Sequence, residues 1–248
     1  MLQRSNMARQ AAAGERGLAR EWWLAVPLAA LAGALWGVLG WLGDGAPSPY
    51  SAFFNLGGPW LLFAWLLGRW TGRNPLGALC GGLALAAAVL AYYTAYTSGL
   101  TVGGLEARVY DPESRAWLLL AALSGPAFGA AGAWSRSSSQ WLRCAAVTLI
   151  ASALLAEAAY YFNSQMIVHV DSPYYDPGEP ALLQIGGYVL PRTGGVQALA
   201  VQSAVALALL PVVLRGRREL GLGVASTAAL AGIGVLAVEI VSRLVRGY

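Results

Sequence analysis

The chain has no lysine, one histidine and two cysteines, and only 11% of its 248 residues are charged. Each shortage excludes something. Soluble domains carry about 25% charged residues, so this chain cannot cover a water-facing surface in the usual way. The single histidine, His169, rules out a His-rich metal site or a bis-histidine haem within one subunit. Cys80 and Cys144 both fall inside apolar runs, which reads as two buried thiols and not as a disulfide framework. No His-Glu-x-x-His, no phosphate-cradling glycine loop followed by lysine and no Gly-x-Ser-x-Gly elbow is present. Neither a metal nor a cofactor is therefore expected, and no catalytic constellation is visible. The net charge of +4 sits in the segments between apolar runs, so no nucleic-acid partner is expected from it.

What fills the chain is apolar: 57% of residues are hydrophobic, and the mean hydropathy is +0.55. Seven segments approach the ~20 residues needed to cross a ~30 Å hydrocarbon core. They lie near 22–43, 51–68, 76–97, 115–135, 141–162, 196–214 and 221–242. The first is too long for a signal-peptide h-region of about 7–15 residues and reads as a retained anchor. The expected fold class is all-α, a polytopic transmembrane helix bundle in the plasma membrane. Residues 1–21 form a basic cytoplasmic segment, and 22–248 form one transmembrane domain whose first partner is the lipid bilayer.

Arginines set the expected orientation. With a cytoplasmic N-terminus, the inner segments hold eleven of them: Arg4, Arg9, Arg16, Arg20, Arg69, Arg73, Arg136, Arg143, Arg215, Arg217 and Arg218. Five fall outside, namely Arg108, Arg115, Arg192, Arg243 and Arg246. That split follows the positive-inside rule, and seven spans then put the C-terminus outside the cell. Trp22, Trp23, Trp70, Trp134 and Trp141 read as one interfacial aromatic belt, and Tyr92, Tyr93, Tyr96, Tyr160 and Tyr161 as the other.

An internal repeat is expected. Gly57-Gly58-Pro59 and Ser124-Gly125-Pro126 are each followed, ten residues after the proline, by an arginine, Arg69 or Arg136. A second apolar helix then ends in Tyr92-Tyr93 or Tyr160-Tyr161, at offsets of 67 residues for the prolines and 68 for the tyrosines. The unit holds two helices, so its copies, about 51–97 and 115–162, form a parallel repeat of hairpins. Proline removes a helical hydrogen bond and clashes with the carbonyl four residues back. Gly58-Pro59 and Gly125-Pro126 are thus candidate helix breaks, each open to the alternative of a kink. At the first, an irregular segment would place Asn55 at the wall of an outward-facing polar cavity.

Glu157 stands out among the acids. It lies 14 residues beyond Arg143, roughly 21 Å into the membrane, and an intramembrane carboxylate is costly unless paired or hydrated. Candidate partners are the Tyr93 and Tyr160 hydroxyls, the Asn55 amide and Arg243. The long outer loop 163–195 carries His169 beside Asp171 and has enough apolar residues to fold down as a lid. Gly33 with Gly37, Gly77 with Gly81, and Gly125 with Gly129 form Gly-x-x-x-Gly pairs suited to close helix packing.

The stretch Asn55-Leu56-Gly57-Gly58-Pro59-Trp60-Leu61-Leu62, with Gly68-Arg69, Gly77-Ala78 and Tyr92-Tyr93, resembles an uncharacterised family of actinobacterial integral membrane proteins. The resemblance covers about 33–97 closely and the remainder loosely. It implies a membrane location and no activity. Three functions remain open on the residues: a small-solute or ion permease using Glu157, Asn55, Tyr93 and Tyr160; an accessory subunit that binds a membrane-protein partner or its own copy; and a membrane-embedded lipid or isoprenoid enzyme.

Overall fold

Long Ala/Leu/Gly runs give helices, and the turns between them fall at arginine, serine and proline. The computed structural model describes residues 2–46, 50–54, 56–98, 112–161, 168–169, 181–185, 188–191 and 194–246. Asn55, Asp171 and most of the loop 163–195 lie outside these residues, as do the side chains of His169 and Arg243. The helices are α1 (Leu2–Asp44), α2 (Tyr50–Phe54), α3 (Gly57–Thr71), α4 (Asn74–Ser98), α5 (Pro112–Trp134), α6 (Gln140–Tyr161), α7 (Gly194–Val213) and α8 (Arg217–Arg246). Five of them are long and apolar enough to cross a membrane: α1 over Trp22–Asp44, α4 over Asn74–Tyr96, α5 over Ser114–Trp134, α6 over Gln140–Tyr160 and α8 over Arg217–Leu236. The chain thus has the helix set of a multi-pass membrane protein. Helix α1 runs unbroken through both the basic N-terminal segment and the first span.

One departure from an all-helical chain lies between α6 and α7. Strands β1 (Val168–His169), β2 (Ala181–Ile185) and β3 (Tyr188–Pro191) form an antiparallel sheet in the order β1-β3-β2. The register pairs Ile185 with Tyr188, so Gly186-Gly187 is the whole connection between β2 and β3. A two-residue Gly-Gly link between apolar runs is a hairpin signal. The segment expected as a loop and lid therefore contains strands.

Small residues decide how the helices meet. Gly77 and Gly81 of α4 face Gly125 and Gly129 of α5 so closely that a Cβ on Gly129 would overlap the Gly77 carbonyl oxygen. Gly33 and Gly37 of α1 approach Ala84 and Ala88 of α4 in the same way. Lipid tails are as apolar as leucine, so association rests on such backbone approach and van der Waals contact. The main buried cluster joins α3, α5, α6 and α7 around Trp65, Val147, Ile150, Leu154 and Leu210. Within it the Trp65 indole N–H donates to the Ala146 carbonyl at 3.2 Å. Cys80 and Cys144 are free and buried.

One end of the bundle is basic. Arg69 donates to Ser135 Oγ at 2.7 Å, and Arg136 donates to the Arg69 carbonyl at 3.4 Å. Arg143 pairs with Glu219 at 2.5 Å, with side chains only 8% and 12% exposed, and donates to the carbonyls of Ser137 and Ser138. The other Glu219 oxygen accepts the Arg215 backbone N–H at 3.0 Å. This set ties α6, the turn before it and the α7–α8 turn together.

Candidate functional site

The second apolar segment is interrupted. Helix α2 stops at Phe54 and α3 starts at Gly57, with extended Leu56 (φ −83°, ψ 140°) as its N-cap. A helix start leaves four backbone N–H groups without helical partners, and leucine has no side-chain acceptor to serve them. Each of the four positions is accounted for. The Leu56 N–H donates to the Phe53 carbonyl at 3.4 Å. The Gly57 N–H donates to Glu157 Oε1 and the Gly58 N–H to Glu157 Oε2, both at 2.6 Å. Pro59 has no N–H, and proline fits the first turn for that reason. On the other side of the gap, the Phe54 carbonyl accepts the Trp60 indole N–H at 3.1 Å.

Glu157 is therefore a cap supplied from 100 residues away. A carboxylate there also meets the positive end of the α3 dipole. A third donor comes from α7: Gln202 Nε2 reaches Glu157 Oε2 at 2.8 Å and the Leu154 carbonyl at 3.0 Å. Gln202 is buried, and its Oε1 has no hydrogen-bond partner among the described residues. Space at the two glycines is tight, and most so at Gly58. A Cβ on Gly58 would lie 2.6 Å from Gln202 Nε2 and 2.7 Å from Leu154 Cδ2. One on Gly57 would lie 3.1 Å from Glu157 Oε1.

Beside the gap opens a pocket of about 120 Å³, lined by Phe54, Leu56, Gly57, Trp60, Val89, Tyr92, Tyr93 and Trp117. One water needs roughly 10–15 Å³ on this measure, so the space holds more than isolated solvent. Trp60 and Tyr92 meet at 6.2 Å and 73°, Tyr92 and Tyr93 at 5.2 Å and 80°. Behind the pocket the Tyr92 hydroxyl donates to Asp44 Oδ2 at the end of α1. Asp44 Oδ1 is buried without a hydrogen-bond partner among the described residues.

Residues 16–244 match a described protein family. The chain belongs to DUF6518, a family of unknown function. No curated protein and no solved structure matches it. The match extends well beyond 33–97, but DUF6518 membership brings no activity with it.

Of the residues singled out in this DUF6518 chain, the structure brings Glu157, Gly58 and Pro59 together at one helix start and sets Tyr93 in the adjoining pocket. Tyr160 is half-buried on α6, three residues beyond Glu157, and does not line the pocket. Gly125 and Pro126 require a correction. Helix α5 runs continuously through them, so they are not a break. Their neighbour is α4, where Gly82 lies against the Pro126 ring. Gln202, Asp44 and Trp117 were not singled out. A lone amide in an apolar helix and a lone acid closing the first span were the available signals for the first two. Among the described residues no cluster of His, Cys, Asp and Glu could hold a metal ion.

Proposed function

We propose that this DUF6518 protein is a permease-like protein of the plasma membrane, and that a small solute or ion enters it at the α2–α3 gap. The observation that carries the reading is the interrupted helix, with the N–H groups at the start of α3 served by Phe53 and Glu157 and a pocket beside it. Non-helical backbone at membrane depth survives only where protein or a cavity covers it, and such gaps are where transporters bind their cargo. The cavity in this reading is aromatic more than polar, and Glu157 holds the gap open instead of contacting the solute.

The remaining features fit around that core. Helices α2 and α3 have 5 and 15 residues and α7 has 20, so each unit supplies roughly 30 Å of helix and completes seven crossings. The basic end that joins Arg69, Arg136 and Arg215 supports a cytoplasmic N-terminus and an extracytoplasmic C-terminus. The hairpins α3–α4 and α5–α6 support the parallel repeat, their Gly-Pro pairs having taken different roles. The exposed leucines and valines that an accessory subunit would offer a partner are equally what lipid requires. The acid–base role that an enzyme would give Glu157 is not favoured, because both of its oxygens are engaged as a helix cap.

Stopped-flow light scattering on reconstituted vesicles tests this reading. After osmotic shrinkage, at least one of erythritol, tetramethylammonium chloride and sodium glutamate should re-enter faster than in protein-free vesicles, and Glu157→Leu should abolish the difference. Equal rates for all three in both vesicle types would overturn it.

A further inference from the structure

We infer that the aromatic pocket binds a small quaternary ammonium group. This rests on the permease reading for its location and adds the chemistry of what is held. Five of the eight lining residues are aromatic, and none is basic. Trp60, Tyr92 and Tyr93 stand nearly perpendicular in sequence, as adjoining walls of a box. Aromatic rings attract cations through the negative face of the π system, and cages of such rings are how proteins hold methylated ammonium groups.

Two further observations add negative potential behind the walls. The Tyr92 hydroxyl donates to Asp44, which places a carboxylate at the hydroxyl edge of that ring, and Asp44 Oδ1 is buried without a hydrogen-bond partner among the described residues. Asp44 also ends α1, so the negative end of that helix dipole lies with it. The opposing influence would be the positive start of α3 at Gly57, and Glu157 sits against it. Arg115 is the nearest basic residue in sequence to the lining, but it is two positions from Trp117, and residues so spaced do not share a helix face. A primary ammonium or a sodium ion is best held by carboxylates, and no acidic side chain lines the pocket. A methylated one presents apolar methyls to the rings and asks for none.

Such a group can arrive free, as choline, or as the headgroup of phosphatidylcholine, and the test separates the two. Isothermal titration of the full-length protein in a choline-free detergent compares choline with 3,3-dimethylbutan-1-ol, which has the same shape without the charge. Choline should bind, and the neutral analogue should bind about tenfold more weakly or not at all. Trp117→Leu removes one wall whose side chain is 43% exposed, and should weaken choline by about tenfold with the thermal unfolding midpoint retained. Tyr92→Phe keeps the ring and should weaken it by a smaller factor. In nanodiscs of phosphatidylglycerol, added phosphatidylcholine that suppresses choline binding assigns the site to a lipid headgroup, while unchanged binding assigns it to the free ion. Equal affinity for the neutral analogue, or no choline binding by folded protein, would overturn the inference. Solute entry without choline binding would overturn it and leave the permease reading standing. Choline binding with no solute entry would do the reverse.

Discussion

Glu157 shows why a residue's cost has to be weighed against what it contacts. A carboxylate at membrane depth costs on the order of 2.5–3.5 kcal/mol on insertion scales. Here it accepts the Gln202 amide and two backbone N–H groups that the helix start leaves without helical partners, and an unmet buried donor costs about 1–3 kcal/mol. Replacement by leucine should therefore lower the unfolding midpoint strongly. Glutamine should be intermediate and not silent, because its amide nitrogen would face a donor where Glu157 now accepts. Thermal unfolding of the two variants in detergent checks that order, and equal midpoints for wild type and Glu157→Gln would contradict it. Gly58→Ala should destabilise by about 1–3 kcal/mol through overlap with Gln202 and Leu154. Gly221→Ala, where nothing lies within 4 Å, should not destabilise and serves as the control. Arg143→Ala should also destabilise, since it leaves Glu219 with one of its two partners gone.

At the scale of elements, the two Gly-Pro pairs divide what was legible from what was not. Both carry the same local signal, and the sequence marks each as a break or a kink. The difference arises from their neighbours: Gly58-Pro59 starts a helix because Glu157 of α6 accepts the Gly57 and Gly58 N–H groups while Gln202 of α7 donates to that carboxylate. Pro126 stays inside a helix because Gly82 of α4 packs directly against its ring. Long-range partners of this kind have no local trace. The Gly-x-x-x-Gly pairs were legible, since they follow helical spacing, but not that two of them would meet each other. The sheet between 168 and 191 has little local signal, since its strands are short and the acids and prolines around Gly186-Gly187 are those of an ordinary loop. Gly129→Leu should force α4 and α5 apart, so the purified variant should unfold at a markedly lower temperature than Gly221→Ala. A midpoint equal to wild type would contradict the packing described.

For the whole molecule, apolar composition and arginine placement point to a membrane bundle, while the site draws on α2, α3, α4, α5, α6 and α7, whose meeting has no local trace. The native thiols are buried, so introduced cysteines report cleanly. Externally added maleimide should label Ser172→Cys and spare Ser138→Cys in intact cells, and the opposite pattern would invert the orientation. The account stands or falls on Glu157 holding α3 open at its start. Amide hydrogen exchange read by NMR on glycine-labelled protein tests that most directly. The account predicts that the Gly57 and Gly58 amides are shifted downfield and protected in the wild type, and that Glu157→Leu abolishes both effects. Rapid exchange at both glycines in the wild type, or protection unchanged in Glu157→Leu, would contradict it.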